Sequence, residues 1–145
     1  MRELPRQLSV DELAELFEGR TGLVERLARL EHPLERAEEV VDELPEDELR
    51  EALDAHPAVG ARRLSARSAA EQGGDAPPEV LEELVRLNAE YERRNGFRFV
   101  TFVAGRPKEQ VLEELRGRIG RPREEELRRA ARELVAIARD RWRSS

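Results

Sequence analysis

At 145 residues, with no cysteine and two histidines, the chain has room for one domain and its core, but not for a disulfide framework, a thiolate nucleophile or a Cys- or His-rich metal site. A formal charge of -6 at pH 7 argues against a nucleic-acid surface, and 40% charged residues predict amphipathic helices with solvated outer faces. No apolar run reaches the roughly 18 residues of a membrane span and the N-terminus has no signal-like apolar core, so the expectation is a soluble cytoplasmic protein.

In chain order, Ser9-Val10-Asp11-Glu12 is a capping box that starts a helix on Leu13, Leu16 and Phe17. Gly19 to Gly22 breaks it. Leu23, Leu27 and Leu30 then recur at helical spacing. Pro33 suits the first turn of a helix whose stripe is Leu34, Ala37, Val41 and Leu44. Pro45 opens another, with Leu49 and Leu53 inward, which must stop near His56 because Pro57 disfavours helical geometry before it. Ala58 to Pro78 reads as a long connection with at most a short helix around Ser65 to Gln72. Glu79 to Arg94 is a strong helix ended by Asn95-Gly96. The β-like run Phe97 to Val103 has no second strand to pair with, so it predicts an extended buried segment crossing a helical core, or the start of a helix that overrides local propensity. Two further helices follow, one to about Arg118 and one from Pro122 to about Trp142. The expected fold is all-α: a single-domain bundle of about seven to nine helices.

Three polar features stand where the pattern calls for apolar ones. Leu127, Ala131, Leu134 and Ala138 step by four and three, and the next step is Arg141. Either the helix end frays and the guanidinium reaches solvent, or it turns inward, where a charge needs a partner or a ligand. His56 continues the stripe of Leu49 and Leu53. It reads as a hydrogen-bonded core histidine or as the best proton-transfer group in the chain. His32-Pro33, before a helix, reads as a surface flank. Ser68, Glu71 and Gln72 share a face if their segment is helical, and serve either as caps or as a polar cluster.

His56-Pro57, Ser68-x-x-Glu71-Gln72, Leu87-Asn88-x-x-Tyr91, Gly96-Phe97-x-Phe99-Val100, Arg118-Ile119 and Ile137-x-x-x-Arg141 occur in one order. Together they resemble the 2-oxo-4-hydroxy-4-carboxy-5-ureidoimidazoline (OHCU) decarboxylase family of uric acid degradation, from about Leu13 to Trp142. The resemblance implies residues 1–145 as one all-α, cofactor-free domain, a homodimer, that converts OHCU to S-allantoin without nucleic-acid or membrane partners. It implies His56 and Glu71 as catalytic groups. It implies Pro57, Ser68, Glu71, Gln72, Phe99, Val100, Thr101, Phe102, Val103 and Arg141 as substrate-binding positions, with Arg141 on the anion. The residue types suit the chemistry. An arginine fork holds a carboxylate or oxyanion through two hydrogen bonds. A histidine relays the proton that replaces carbon dioxide, and Glu71 orients the imidazole.

Two other readings compete. A helical protein-interaction module would leave His56, Glu71 and Arg141 far apart. A nucleic-acid binder would need a positive stripe, which Glu113, Glu114, Glu124, Glu125, Glu126 and Glu133 interrupt.

Overall fold

The computed structural model describes residues 3–56 and 76–144. Among them are seven α-helices and no β-strand. The helices are α1 (Val10–Leu16), α2 (Gly22–Ala28), α3 (Pro33–Glu43), α4 (Glu46–Asp54), α5 (Pro78–Asn95), α6 (Lys108–Arg118) and α7 (Arg123–Ser144). The all-α expectation holds, and the described helices match its lower count. The connection from Ala58 and the cluster of Ser68, Glu71 and Gln72 lie outside the described residues.

The local chemistry explains the starts and stops. The Ser9 hydroxyl accepts from the Glu12 amide at 3.1 Å while the Glu12 carboxylate accepts from the Ser9 amide at 3.1 Å, so both ends of the capping box are closed. Pro33 fills the first turn of α3, and Gly96, at φ 79°, ends α5 in the left-handed conformation that glycine adopts without a Cβ penalty. Pro45 stands one place earlier than expected, as the N-cap of α4. Leu30 and Leu44 continue the packing stripes just past their helix ends, where the chain turns but still faces the core.

α7, the longest helix at 22 residues, is the spine. It packs along α3 and also touches α1 and α4, while α5 packs on α6. The turn between α1 and α2 is bolted to α4. The Glu51 carboxylate accepts from the Gly22 amide at 2.7 Å, meeting one of the free N–H groups at the start of α2. At Gly19 an added Cβ would lie 3.3 Å from the Ala55 Cβ, so a glycine there lets the turn sit close against the end of α4.

Residues 98–103 run without helix or strand, and Phe97, Phe99, Val100, Thr101 and Val103 are buried. This is the extended core segment that the sequence predicts. Tyr91 stands edge-on to Phe97 and Phe99, with centroids 5.9 and 5.2 Å apart. Such pairs add about 0.5–1.5 kcal/mol each beyond their area burial.

Candidate active site

His56 follows directly on α4, and its amide donates to the Leu53 carbonyl at 3.2 Å. The side chain is only 4% exposed, and among the described residues its Nε2 has no hydrogen-bond partner. A core histidine kept for structure would have that nitrogen bonded. His32 differs on every count. It is half exposed, caps the start of α3 at φ 54°, and lies 3.5 Å from the Glu35 carboxylate.

Arg141 faces inward. α7 continues past it to Ser144, and the residue is 3% exposed. Its Nη2 pairs with Glu18 at 3.0 Å, and its Nη1 donates to the Leu16 carbonyl at 3.1 Å, at the end of α1. The fraying alternative is excluded. Glu18 is the residue the sequence reading missed. It occupies the α1–α2 turn with φ 63°, a conformation uncommon outside glycine, in the turn bolted beside Ala55 and His56. No periodic pattern marks a turn residue, and the Phe17-Glu18-Gly19 break was the one available signal.

The third group is Arg98, from the extended segment. Its Nη1 donates to the Asp54 carbonyl at 3.1 Å and also to the His56 carbonyl. A cation there closes the exposed carbonyls at the end of α4. The electrostatics at His56 follow from this neighbourhood. Burial pushes its pKa down first, Arg141 and Arg98 push it further, and Glu18 offsets part, leaving it at about 4. The imidazole is therefore neutral at neutral pH.

Two of the predicted lining residues serve a second cluster. The Phe99 ring lies under Arg118, whose Cζ is 4.7 Å from the centroid. The Thr101 hydroxyl donates to Glu114 at 2.5 Å. Arg118 is tied to Glu126 at 2.8 Å and to Glu114 at 3.0 Å, and Glu126 also accepts from the Tyr91 hydroxyl at 2.7 Å. Val100 and Val103 are buried in the core and Phe102 packs partly buried against it. The structure brings together His56, Arg141 and the extended segment. Pro57, Ser68, Glu71 and Gln72 lie outside the described residues. Among the described residues no three His, Asp or Glu side chains form a group able to hold a metal, and no helix is long and apolar enough to cross a membrane.

Comparison with known proteins gives the family and the fold. The family model described as OHCU decarboxylase matches residues 2–143. The chain is 28% identical over 151 residues to the uric acid degradation bifunctional protein PucL of Bacillus subtilis (strain 168). That match takes in 96% of this chain and 30% of PucL, so the chain spans under a third of that relative's length. Among solved structures, it superimposes with a TM-score of 0.76, at 20% identity, on a crystal structure of OHCU decarboxylase in the presence of (S)-allantoin, covering 90% of this chain and 94% of that one. A crystal structure of (S)-allantoin synthase matches with a TM-score of 0.69 at 24% identity, over 93% of this chain and 48% of the other. At these identities the two structures establish a shared fold.

Proposed function

The chain belongs to the OHCU decarboxylase family, and on that premise we propose that it decarboxylates 2-oxo-4-hydroxy-4-carboxy-5-ureidoimidazoline to S-allantoin. The observation that carries the reading is a buried histidine that, among the described residues, has an unbonded nitrogen and stands between two guanidiniums and one carboxylate. Arg141 holds the substrate's carboxylate. In a site shielded from water that contact is worth far more than at a surface. Carbon dioxide leaves, its bonding pair passes into the imidazoline ring, and one proton from solvent balances the charge. His56, neutral at the outset, takes the proton of the 4-hydroxyl and returns it to one face of the ring, which fixes the product's handedness. Glu71, Ser68 and Gln72, with Pro57 at the wall, complete the pocket, and Glu71 orients the imidazole. The segment Phe99 to Val103 lines the pocket with its backbone and with Val100 and Phe102, while the Phe99 and Thr101 side chains serve the Arg118 cluster. The family resemblance extends the proposal to residues 1–145 as one domain working as a cytoplasmic homodimer on an anionic small molecule.

The test is to supply freshly generated OHCU and follow S-allantoin by circular dichroism. The wild-type chain is expected to accelerate its appearance. His56→Ala should lose on the order of 10²–10⁴-fold in turnover while keeping its helical spectrum, and His32→Ala should be silent. Equal losses from the two changes would sink the assignment of His56, and an inert wild-type chain would sink the activity itself.

A further inference from the structure

The extended segment runs through the core with no strand beside it, yet its backbone polar groups must find partners. Side chains supply them. Arg118 donates to the Val100 carbonyl at 3.3 Å, and Arg106 donates to the carbonyls of Phe102 and Val103 at 2.9 and 3.1 Å. Both arginines share one carboxylate, since Glu114 takes Arg106 on Oε1 at 2.9 Å and Arg118 on Oε2 at 3.0 Å. The far end of the segment is thereby clamped. Its near end carries Arg98, flanked in sequence by the buried Phe97 and Phe99. The Arg98 guanidinium spans more than forty residues of sequence to reach the carbonyls of Asp54 and His56. Among the described residues Arg98 pairs with no carboxylate, so backbone carbonyls are its partners there.

We infer that Arg98 is a positioning residue for His56: a guanidinium delivered by a clamped segment closes the end of α4 and fixes where the imidazole stands. The inference rests on the proposed decarboxylation for its kinetic effect, but not for its structural one. Helix ends fray when their last carbonyls lack partners, and His56 lies just past such an end. Without the guanidinium the imidazole swings through positions that miss the substrate. Among the described residues the charged groups facing His56 are Arg98 on the segment, Arg141 on α7 and Glu18 in the α1–α2 turn. Removal of Arg98 takes away one of the two cations that oppose the imidazolium.

The experiment compares Arg98→Met and Arg98→Lys with the wild type. Each is made in a His32→Ala background, so that His56 gives the single imidazole signal by NMR. Arg98 is partly exposed, so neither change should unfold the chain. Arg98→Met is expected to lower kcat by on the order of 10- to 100-fold, the scale of a small misplacement. KM should change less than about twofold, because Arg98 does not hold the anion. Amide exchange at His56 should speed up and its titration should move up from about 4. Arg98→Lys keeps the charge but replaces the planar guanidinium with an ammonium on a flexible stem, so the titration should stay low while kcat and exchange fall between. Wild-type exchange at His56 in Arg98→Met would overturn the inference. So would an exchange change with kcat intact. If the wild type itself fails to decarboxylate OHCU, the proposed activity falls, and the exchange and titration of His56 still decide the role of Arg98.

Discussion

Among the described residues two arginines have almost fully buried side chains, 3% exposed at Arg118 and 2% at Arg141, and their described surroundings differ in charge balance. Around Arg118, two guanidiniums (its own and that of Arg106) meet the two carboxylates of Glu114 and Glu126. The other partners are the Tyr91 hydroxyl, the Val100 carbonyl, the Phe99 ring and, 3.7 Å from Glu126, the half-exposed Arg121. Around His56, two guanidiniums, Arg141 and Arg98, face the one carboxylate of Glu18 among the described residues. The Arg118 cluster balances its charges within the protein, although Arg118 Nη2 and Glu126 Oε2 have no hydrogen-bond partner among the described residues. On the proposed function the group around His56 takes the anionic substrate on Arg141, whereas Arg118 holds the fold.

Removing Arg118 should therefore have the larger effect on stability. Arg118→Met leaves Glu126, which is wholly buried, with the Tyr91 hydroxyl and a distant Arg121 at 3.7 Å. Stranding a buried charge costs about 3–5 kcal/mol, which lowers Tm by roughly 10 °C in a chain of this size. Adding Glu126→Gln should recover part of the loss, because it removes the stranded charge. Thermal unfolding of the single and double variants checks both. A single variant with the wild-type Tm would break the comparison. The pKa shifts point the same way. Burial alone would lower Arg118, but Glu126 more than restores it, and burial alone would raise Glu114, but Thr101, Arg106 and Arg118 pull it below its ordinary value.

The imidazole supplies the next effect. Folded His56 titrates at about 4 against 6.5 in the unfolded chain. Above pH 6.5 both states are neutral and the group has no effect on stability. Between 6.5 and 4 the unfolded chain takes up the proton and the folded one does not, so stability is lost as pH falls. The loss accumulates to about 3 kcal/mol at pH 4. Urea unfolding from pH 7 to pH 4.5 should show this slope in the wild type and a shallower one in His56→Ala. The acid limb of kcat/KM, which reports the free enzyme, should lie well below 6.5. A limb at 6.5 with equal slopes in the two proteins would mean that His56 is not held neutral.

The sequence showed one of these regions and half of the other, for a physical reason. Periodicity detects a charge on an apolar stripe, so it exposes Arg141 after Ala138 and His56 after Leu53. The same spacing gives Val111, Leu115 and Arg118 on α6, and Glu126, Ala130 and Leu134 on α7, all buried. Those charges were legible one at a time. Their pairing was not, because Arg118 and Glu126 sit on different helices and meet only when α6 and α7 pack. Read along the chain, Glu126 merges with its exposed neighbours Glu124 and Glu125. Glu18 and Arg98 act from a turn and an extended segment, where no helical period runs. The unpaired β-like run Phe97 to Val103 was legible as a buried segment. The guanidiniums that replace its missing strand partners belong to the tertiary fold.

The smallest expected effect tests the substrate side most directly. Arg141→Lys keeps one positive charge on the inward stripe of α7, beside Glu18. Its ammonium is a compact, strongly hydrated point charge on a flexible stem, whereas the guanidinium presents two parallel donors to a carboxylate. Within the protein the change is mild. An ammonium can still reach Glu18, and the Leu16 carbonyl loses one hydrogen bond, worth about 1 kcal/mol. Tm should thus fall by only a few degrees. Towards the substrate the loss is of a bidentate, charge-assisted contact, about 1.5–3 kcal/mol, so KM for OHCU should rise by on the order of tenfold or more. The split between a small change in Tm and a large change in KM is the mirror image of Arg118→Met. Steady-state kinetics and thermal unfolding of Arg141→Lys measure it. A variant that loses stability as Arg118→Met does, with KM unmoved, would place Arg141 with the balanced cluster and leave the anion to another group.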